Sequence, residues 1–422
     1  MRSFTPQQWG IISACFVLLG LFFGFNFMFG IFIKPLIAEF GWTVSATSAA
    51  YTIYMAMVAM CGVLVGGLAD RYGARPVILA GTLLAGGSVA LAGSVQNLWQ
   101  FYLLMGVLAG LGRSALQTPV SAYLQRAFTA NRGLATGLAG SGSGMGLIFF
   151  SPLAGYLIAS HGWRWAYLFL GLLFIVLAVP VTLLLRPAAE RREEAPGPGK
   201  SRAAYEPPDA LLPEASLGMG EIVKRRPFWA ILGSHTADCL CHSVLILHIV
   251  PMAIEAGMNP VQAASLAGVM GAGQFVGRVL IGVLSDRIGA KRALFTALLL
   301  QTLPVPLLWG SPTLPAFFVV AAMVGLGLGG HGTMYPLVTR EYYGPKRVGL
   351  LFGTFTSGAS VGMALGGLMG GLLYDLSGNY SLAIGFSFAM GVVSLLFVLL
   401  YPGRRAQAAP APAPARAAQP AG

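Results

Sequence analysis

Arg113, Asp238 and Arg278 are charged side chains set in stretches that are otherwise apolar. A charge in such surroundings costs at least a few kcal/mol, so it is retained for a function or held by a partner. Arg278 lies in GQFVGRVLIG, flanked by Gly277 and Gly282. Its guanidinium keeps its proton and presents a planar fork that matches a carboxylate bidentately, which makes it a natural anion anchor; pairing with Asp238 or with backbone is the other use of the same group. Asp238, in SHTADCLCHSVLILH, is the one acid inside any of these stretches. It can pair with Arg278 or carry a proton, and the two roles can alternate in one cycle. His235, His242 and His248 accompany it, with His242 four residues on and therefore on the same helix face. Asp238 and His242 are the expected proton-coupling pair. Asn26, Tyr54, Gln117, His248, His331 and Tyr335 are polar or aromatic groups placed mid-stretch, able to bind a solute beside Arg278. Tyr335 precedes Pro336, which lacks an N–H and can bend its helix.

These groups need a low-dielectric frame, and the composition supplies one. Of 422 residues, 56% are hydrophobic and 9% charged, against roughly 25% charged in an average soluble domain. A membrane helix needs about 20 mostly apolar residues. The sequence predicts twelve such spans: span 1 at 10–36, span 2 at 46–69, span 3 at 76–95, span 4 at 98–124, span 5 at 132–159, span 6 at 164–186, span 7 at 228–254, span 8 at 261–284, span 9 at 292–310, span 10 at 313–338, span 11 at 348–374 and span 12 at 380–402. Span 1 is too long for a signal peptide and lacks a small-residue cleavage site, so it is expected to stay. The four cysteines, Cys15, Cys61, Cys239 and Cys241, all fall within spans and read as packing residues.

A net charge of +12 would suggest nucleic acid in a soluble chain, but its placement argues otherwise. With both termini cytoplasmic, nearly all Lys and Arg fall on cytoplasmic loops, and only Lys34 and Arg164 fall outside. That asymmetry fixes orientation.

The sequence also repeats itself at an offset near 216. GGLADRYGARP (66–76) returns as GVLSDRIGAKR (282–292), Pro119 pairs with Pro336, and Gly137, Ser141, Gly142 and Gly146 pair with Gly353, Ser357, Gly358 and Gly362. The expected organisation is an all-α membrane protein of twelve transmembrane helices in two pseudo-symmetric six-helix bundles, 1–186 and 227–402. A polar cytoplasmic linker (187–226) joins them and a disordered tail (403–422) follows. Glycine-rich runs in spans 5 and 11 are suited to close helix packing.

The spacing of Gly66, Leu68, Ala69, Asp70, Arg71, Gly73 and Arg75, echoed by Asp286 and Arg287, resembles the loop motif of the major facilitator superfamily. The resemblance implies the twelve-helix fold and a cytoplasmic gate in which Asp70, Arg71, Arg75, Asp286 and Arg287 close the inner mouth. Segment 123–146, YLQRAFTANRGLATGLAGSGSGMG, is similar to the monocarboxylate porters and the oxalate–formate exchangers. In that branch an arginine of span 8 binds the carboxylate, which Arg278 matches, and Arg113 falls where many proton-linked members carry an arginine, which makes it a third proton-coupling candidate with a structural role as the alternative. The chain departs from the branch in having Gln274 where animal members have an aspartate, a reduced Trp9–Gly10 before span 1, and no basic residue in span 11. One central cation suits one carboxylate. The resemblance therefore implies a proton-coupled monocarboxylate symporter for a lactate- or pyruvate-like solute, working by alternating access as a monomer in a bacterial inner membrane. A proton-driven exporter of drugs or metabolites is the alternative, through the partial motif SPLAG (151–155), as is an anion exchanger; a membrane sensor fits less well. The sequence offers no nucleophile–base pair, phosphate loop or metal cluster, so neither enzyme chemistry nor a cofactor is expected, and the partners are a small carboxylate, protons and lipid, not nucleic acid.

Overall fold

The computed structural model describes residues 4–128, 132–185, 219–310, 313–343 and 348–401, and within these the side chains of Asn26, Asp70 and Gln117 are among a small set left undescribed. The linker and the tail expected at 187–226 and 403–422 lie largely outside the described residues. Every regular element among the described residues is helical. Among the described residues, ten helices are long and apolar enough to cross a membrane. The other two crossings are spans 4 and 9. Span 4 runs from Leu98 to Ala127 through a π-helical turn at Tyr102–Leu108. Span 9 is a short helix, Ala290–Thr302, prolonged by a 3-10 turn at Val305–Leu308. Those 13 and 4 residues rise about 20 Å and 8 Å, together near the thickness of a bilayer core. The expected unbroken span 9 is interrupted because Pro304 and Pro306 lack the N–H groups that would continue it.

Span 1 is longer than expected and is broken: Pro6–Phe27 and Phe29–Phe40 meet at Met28. Thr5 and Gln8 form a reciprocal capping box at its start. Beyond the break, Gly30 lies so close to the carbonyl of Leu247 in span 7 that no side chain fits.

The duplication is visible in the backbone. Of the seven glycines with positive φ among the described residues, six occur in pairs 216 residues apart: Gly41 and Gly257, Gly73 and Gly289, Gly162 and Gly378. Gly73 (φ 90°, ψ 154°) and Gly289 (φ 83°, ψ 158°) belong to the repeated loop motif and join span 2 to span 3 and span 8 to span 9. This region of φ is open to glycine and strained for other residues, which explains why the motif carries glycine there twice.

The glycines of spans 5 and 11 act as the sequence leads one to expect for packing. Gly142 and Gly146 of span 5 (Arg132–His161) press on Phe16 and Gly20 of span 1, and Gly358 and Gly362 of span 11 (Val348–Ser377) press on Leu232 and Thr236 of span 7 (Arg226–Glu255). Between the halves, span 5 packs on span 8 (Pro260–Ile288) and span 2 (Val44–Tyr72) on span 11.

Among the described residues, charged side chains join the halves at the mouth remote from the chain termini. Lys34 pairs with Glu255 at 3.1 Å. The carboxylate of Asp375 accepts the backbone N–H groups of Val44 (3.1 Å) and Ser45 (2.8 Å), so an acid from span 11 caps the positive end of span 2. Within the first half, Glu39 pairs with Arg164 at 2.6 Å and accepts from the Trp163 indole.

Candidate functional site

Span 7 is buried along most of its length, and its polar side chains converge with those of spans 9 and 10. Asp238 and His242 sit one turn apart, as their spacing predicts, with His242 Nδ1 3.6 Å from Asp238 Oδ1. Span 10 (Leu314–Tyr343) brings His331, whose Nδ1 lies 3.7 Å from Asp238 Oδ2 and whose ring stacks on His242 at 5.1 Å. Span 9 brings Gln301, which sequence reasoning passed over. Its amide donates to Asp238 Oδ1 and lies 3.3 Å from His242 Nδ1. A lone glutamine in the run LFTALLLQTL was the available signal. Asp238 is thus satisfied on one oxygen, while Oδ2 has no hydrogen-bond partner.

The ligating atoms of Asp238, His242 and His331 lie within 4.8 Å of one another, close enough to surround a metal ion. The Gln301 amide is directed into the same space, and an N–H donor there repels a cation. The arrangement is that of a hydrogen-bonded polar network.

Arg278 is not drawn to Asp238. Among the described residues its side chain has no hydrogen bond or ion pair, and its Nε is buried without a partner. The guanidinium instead reaches across to span 5 of the other half, where a Cβ on Gly140 would collide with Nη1. Of the alternatives open from sequence, pairing with Asp238 is therefore absent from this conformation. A part-buried, uncompensated cation faces the seam between the two bundles.

The remaining candidates divide. Tyr335 is buried, its ring stacked on His235 at 3.8 Å and its hydroxyl 3.5 Å from Ser234. His248 is fully buried and engages the carbonyl of Gly367 at 2.9 Å, which ties span 7 to span 11 away from the cluster. Arg113 and Tyr54 form a separate centre inside the first half. There the guanidinium lies 4.7 Å from the Phe22 ring, 5.6 Å from Phe23 and 5.2 Å from Tyr54, and near the Met55 sulfur. Phe25, Phe29, Met105 and Phe174 complete the apolar pocket around it. Asn26 and Gln117 lie on spans 1 and 4, but their side chains, like that of Asp70, are outside the described set. At the termini-side mouth Arg71, Asp286 and Arg287 are exposed and Arg75 partly so, and none of the four is in an ion pair among the described residues. Arg71 lies over the Tyr72 ring at 5.3 Å.

The sequence profile of the Major Facilitator Superfamily matches residues 15–249 and 239–421. The chain belongs to that superfamily. Curated relatives place it near one branch. It is 29% identical over 378 residues to monocarboxylate transporter 13 of Rattus norvegicus, covering 88% of this chain and 84% of that one. It is also 29% identical over 390 residues to monocarboxylate transporter 11 of Mus musculus (88% and 82% covered) and 30% identical over 382 residues to monocarboxylate transporter 3 of Rattus norvegicus (89% and 75% covered). Among solved structures it resembles a bacterial homologue of the human lysosomal transporter Spinster, described as inward-facing and unoccupied. The TM-score is 0.64 at 15% identity, with 94% of this chain and 95% of that one covered, a likeness of fold. The protein is a transporter of the monocarboxylate porter-like branch and not an enzyme.

Proposed function

We propose that this protein is a proton-coupled symporter of a small monocarboxylate such as lactate or pyruvate, with Arg278 as the carboxylate anchor. The observation that carries the reading is the guanidinium of Arg278, without a hydrogen bond or ion pair among the described residues, at the seam between the halves. An uncompensated charge of this kind is costly unless a ligand of opposite sign completes it. A single carboxylate does so through the two-bond fork geometry that arginine favours. The names of the relatives, monocarboxylate transporters, support the same substrate class.

Asp238 and His242 are the proton-carrying groups of this reading. They are buried in the anchor's own half of the molecule, and one oxygen of Asp238 has no hydrogen bond among the described residues. In this reading Tyr54, Asn26 and Gln117 from the first half and Tyr335 and His331 from the second contribute to solute binding, Arg113 assists proton coupling from its own centre in the first half, and His248 serves as a clamp between spans 7 and 11. The pairing of Lys34 with Glu255 and the capping of span 2 by Asp375 at the far mouth, with Arg71, Asp286 and Arg287 exposed at the other, support reading this conformation as a carrier open toward its termini. The gate formed by Asp70, Arg71, Arg75, Asp286 and Arg287 then closes when the carrier turns outward, with both termini in the cytoplasm.

The test is uptake of labelled lactate, pyruvate, formate and oxalate into proteoliposomes at imposed pH gradients. The reading expects saturable lactate and pyruvate uptake driven by an acid exterior. Uptake that requires a counter-anion inside and ignores the pH gradient identifies an exchanger instead.

A further inference from the structure

His331 faces the buried acid from the helix that packs against the anchor's own, and we propose that it is the residue that couples them, so that anion binding at Arg278 and proton residence on Asp238 are linked through this one imidazole. The proposal rests on the reading of the chain as a proton-coupled carboxylate carrier. Spans 8 and 10 touch at this level: a Cβ on Gly329 would meet the backbone N of Arg278 at 2.7 Å, and His331 is two residues further along span 10. On one side is span 8, whose backbone at Arg278 is packed against span 10 at Gly329. On the other, His331 Nδ1 lies 3.7 Å from Asp238 Oδ2, and neither atom has a hydrogen-bond partner. Two orphaned polar atoms facing each other just beyond bonding distance form a hydrogen bond after a small rotation of the ring.

Exposure sets the direction of traffic. The side chain of His331 is 13% exposed, against 1% for Asp238 and 3% for His242, so it is the member of the cluster that water reaches first. The groups facing it are few. Span 7 contributes His235 at 6.2 Å, Asp238 and His242; span 8 contributes Arg278; its own span contributes Tyr335 at 6.1 Å; and span 9 contributes Gln301, already engaged with Asp238 and His242.

The coupling follows from Coulomb's law. A proton on His331 and the bare cation of Arg278 repel, and a carboxylate on Arg278 cancels that repulsion. Each binding event therefore favours the other by the same factor. The proton taken up by His331 passes from its Nδ1 to Asp238 Oδ2, leaving the imidazole neutral and the acid protonated, and returns by the reverse step on release. No other reactant is needed.

The experiment compares wild type with His331→Gln in proteoliposomes by two assays: lactate exchange at equal pH on both sides, and lactate accumulation driven by an acid exterior. His331→Gln is expected to lose accumulation at least tenfold more than it loses exchange, and the tightening of lactate binding at lower pH should disappear in the purified variant. Accumulation at the wild-type level overturns the proposal. Equal loss in both assays also overturns it, because that marks His331 as a substrate contact. Should His331→Gln fold poorly, the pH dependence of lactate binding in His331→Asn decides, with retention of the wild-type dependence counting against the link. If wild type shows exchange but no gradient-driven accumulation, proton coupling itself is wrong and the proposal falls with it; that outcome is separate from a variant that behaves like a coupled wild type.

Discussion

Gly140 offers a test of the anchor that leaves the arginine in place. An alanine Cβ there collides with Nη1 of Arg278 and lies 3.7 Å from its Cζ, and it meets no other atom within 4 Å, so the guanidinium alone must give way. Displacing it by about an ångström breaks one of the two bonds of a bidentate carboxylate contact. Hydrogen bonds to charged groups are worth about 1.5–3 kcal/mol, which corresponds to a rise of roughly 10- to 100-fold in the KM for lactate. Gly137, one turn away on the same helix, has nothing within 4 Å of its Cβ position and serves as the control. Both alanines raise helix propensity by up to about 1 kcal/mol, so neither variant should melt earlier than wild type. Labelled-lactate uptake across a concentration series, with thermal unfolding of the same preparations, gives the answer. Gly140→Ala with the KM of Gly137→Ala would refute the placement of the anchor against span 5.

Asp375→Asn removes the charge that caps span 2, a contribution of about 1 kcal/mol at a helix terminus, and should shift the conformational balance roughly fivefold toward the outward-facing state. Distances between spin labels across the far mouth report the shift, and an unchanged distribution counts against Asp375 as part of the outer closure. Gln301→Leu leaves Asp238 without its amide donor in a buried setting and should cost about 1–3 kcal/mol of stability, read as an earlier thermal transition, with the pH dependence of uptake altered as well. An unaltered transition would mean that the amide is not a structural partner of the acid. Asp238→Asn should uncouple lactate uptake from the pH gradient, and gradient-driven accumulation at the wild-type level removes Asp238 from the coupling role.

The architecture was largely legible because membrane spans are a matter of composition and length, and because the duplication repeats the same backbone needs. Gly73 and Gly289 show this most clearly: the motif glycine recurs because the joint between two helices requires positive φ in both halves. Asp238 and His242 were legible as neighbours because one helix fixes their spacing. The arrival of His331 and Gln301 was not, since it depends on how spans 9 and 10 rotate against span 7, which close contacts such as Gly327 on Gln301 and Gly330 on Ile281 determine. Arg278 shows the same limit. Its charge marked it at once, but sequence alone left pairing with Asp238 open, and the packing turned it toward Gly140 instead. Asp375 drew no notice because an acid at a helix end is ordinary until the start of span 2 is found beside it. The breaks in spans 1 and 9 were missed because hydropathy continues through both Met28 and the Pro304–Pro306 turn.

The central claim is that Arg278 binds a carboxylate. The most direct measurement is equilibrium binding of lactate to purified protein, comparing wild type with Arg278→Lys and Arg278→Gln. The account predicts saturable binding by wild type, binding weakened at least tenfold in Arg278→Lys because the two-pronged fork is lost while the charge stays, and no measurable binding in Arg278→Gln. Lactate bound by Arg278→Gln with wild-type affinity would contradict it.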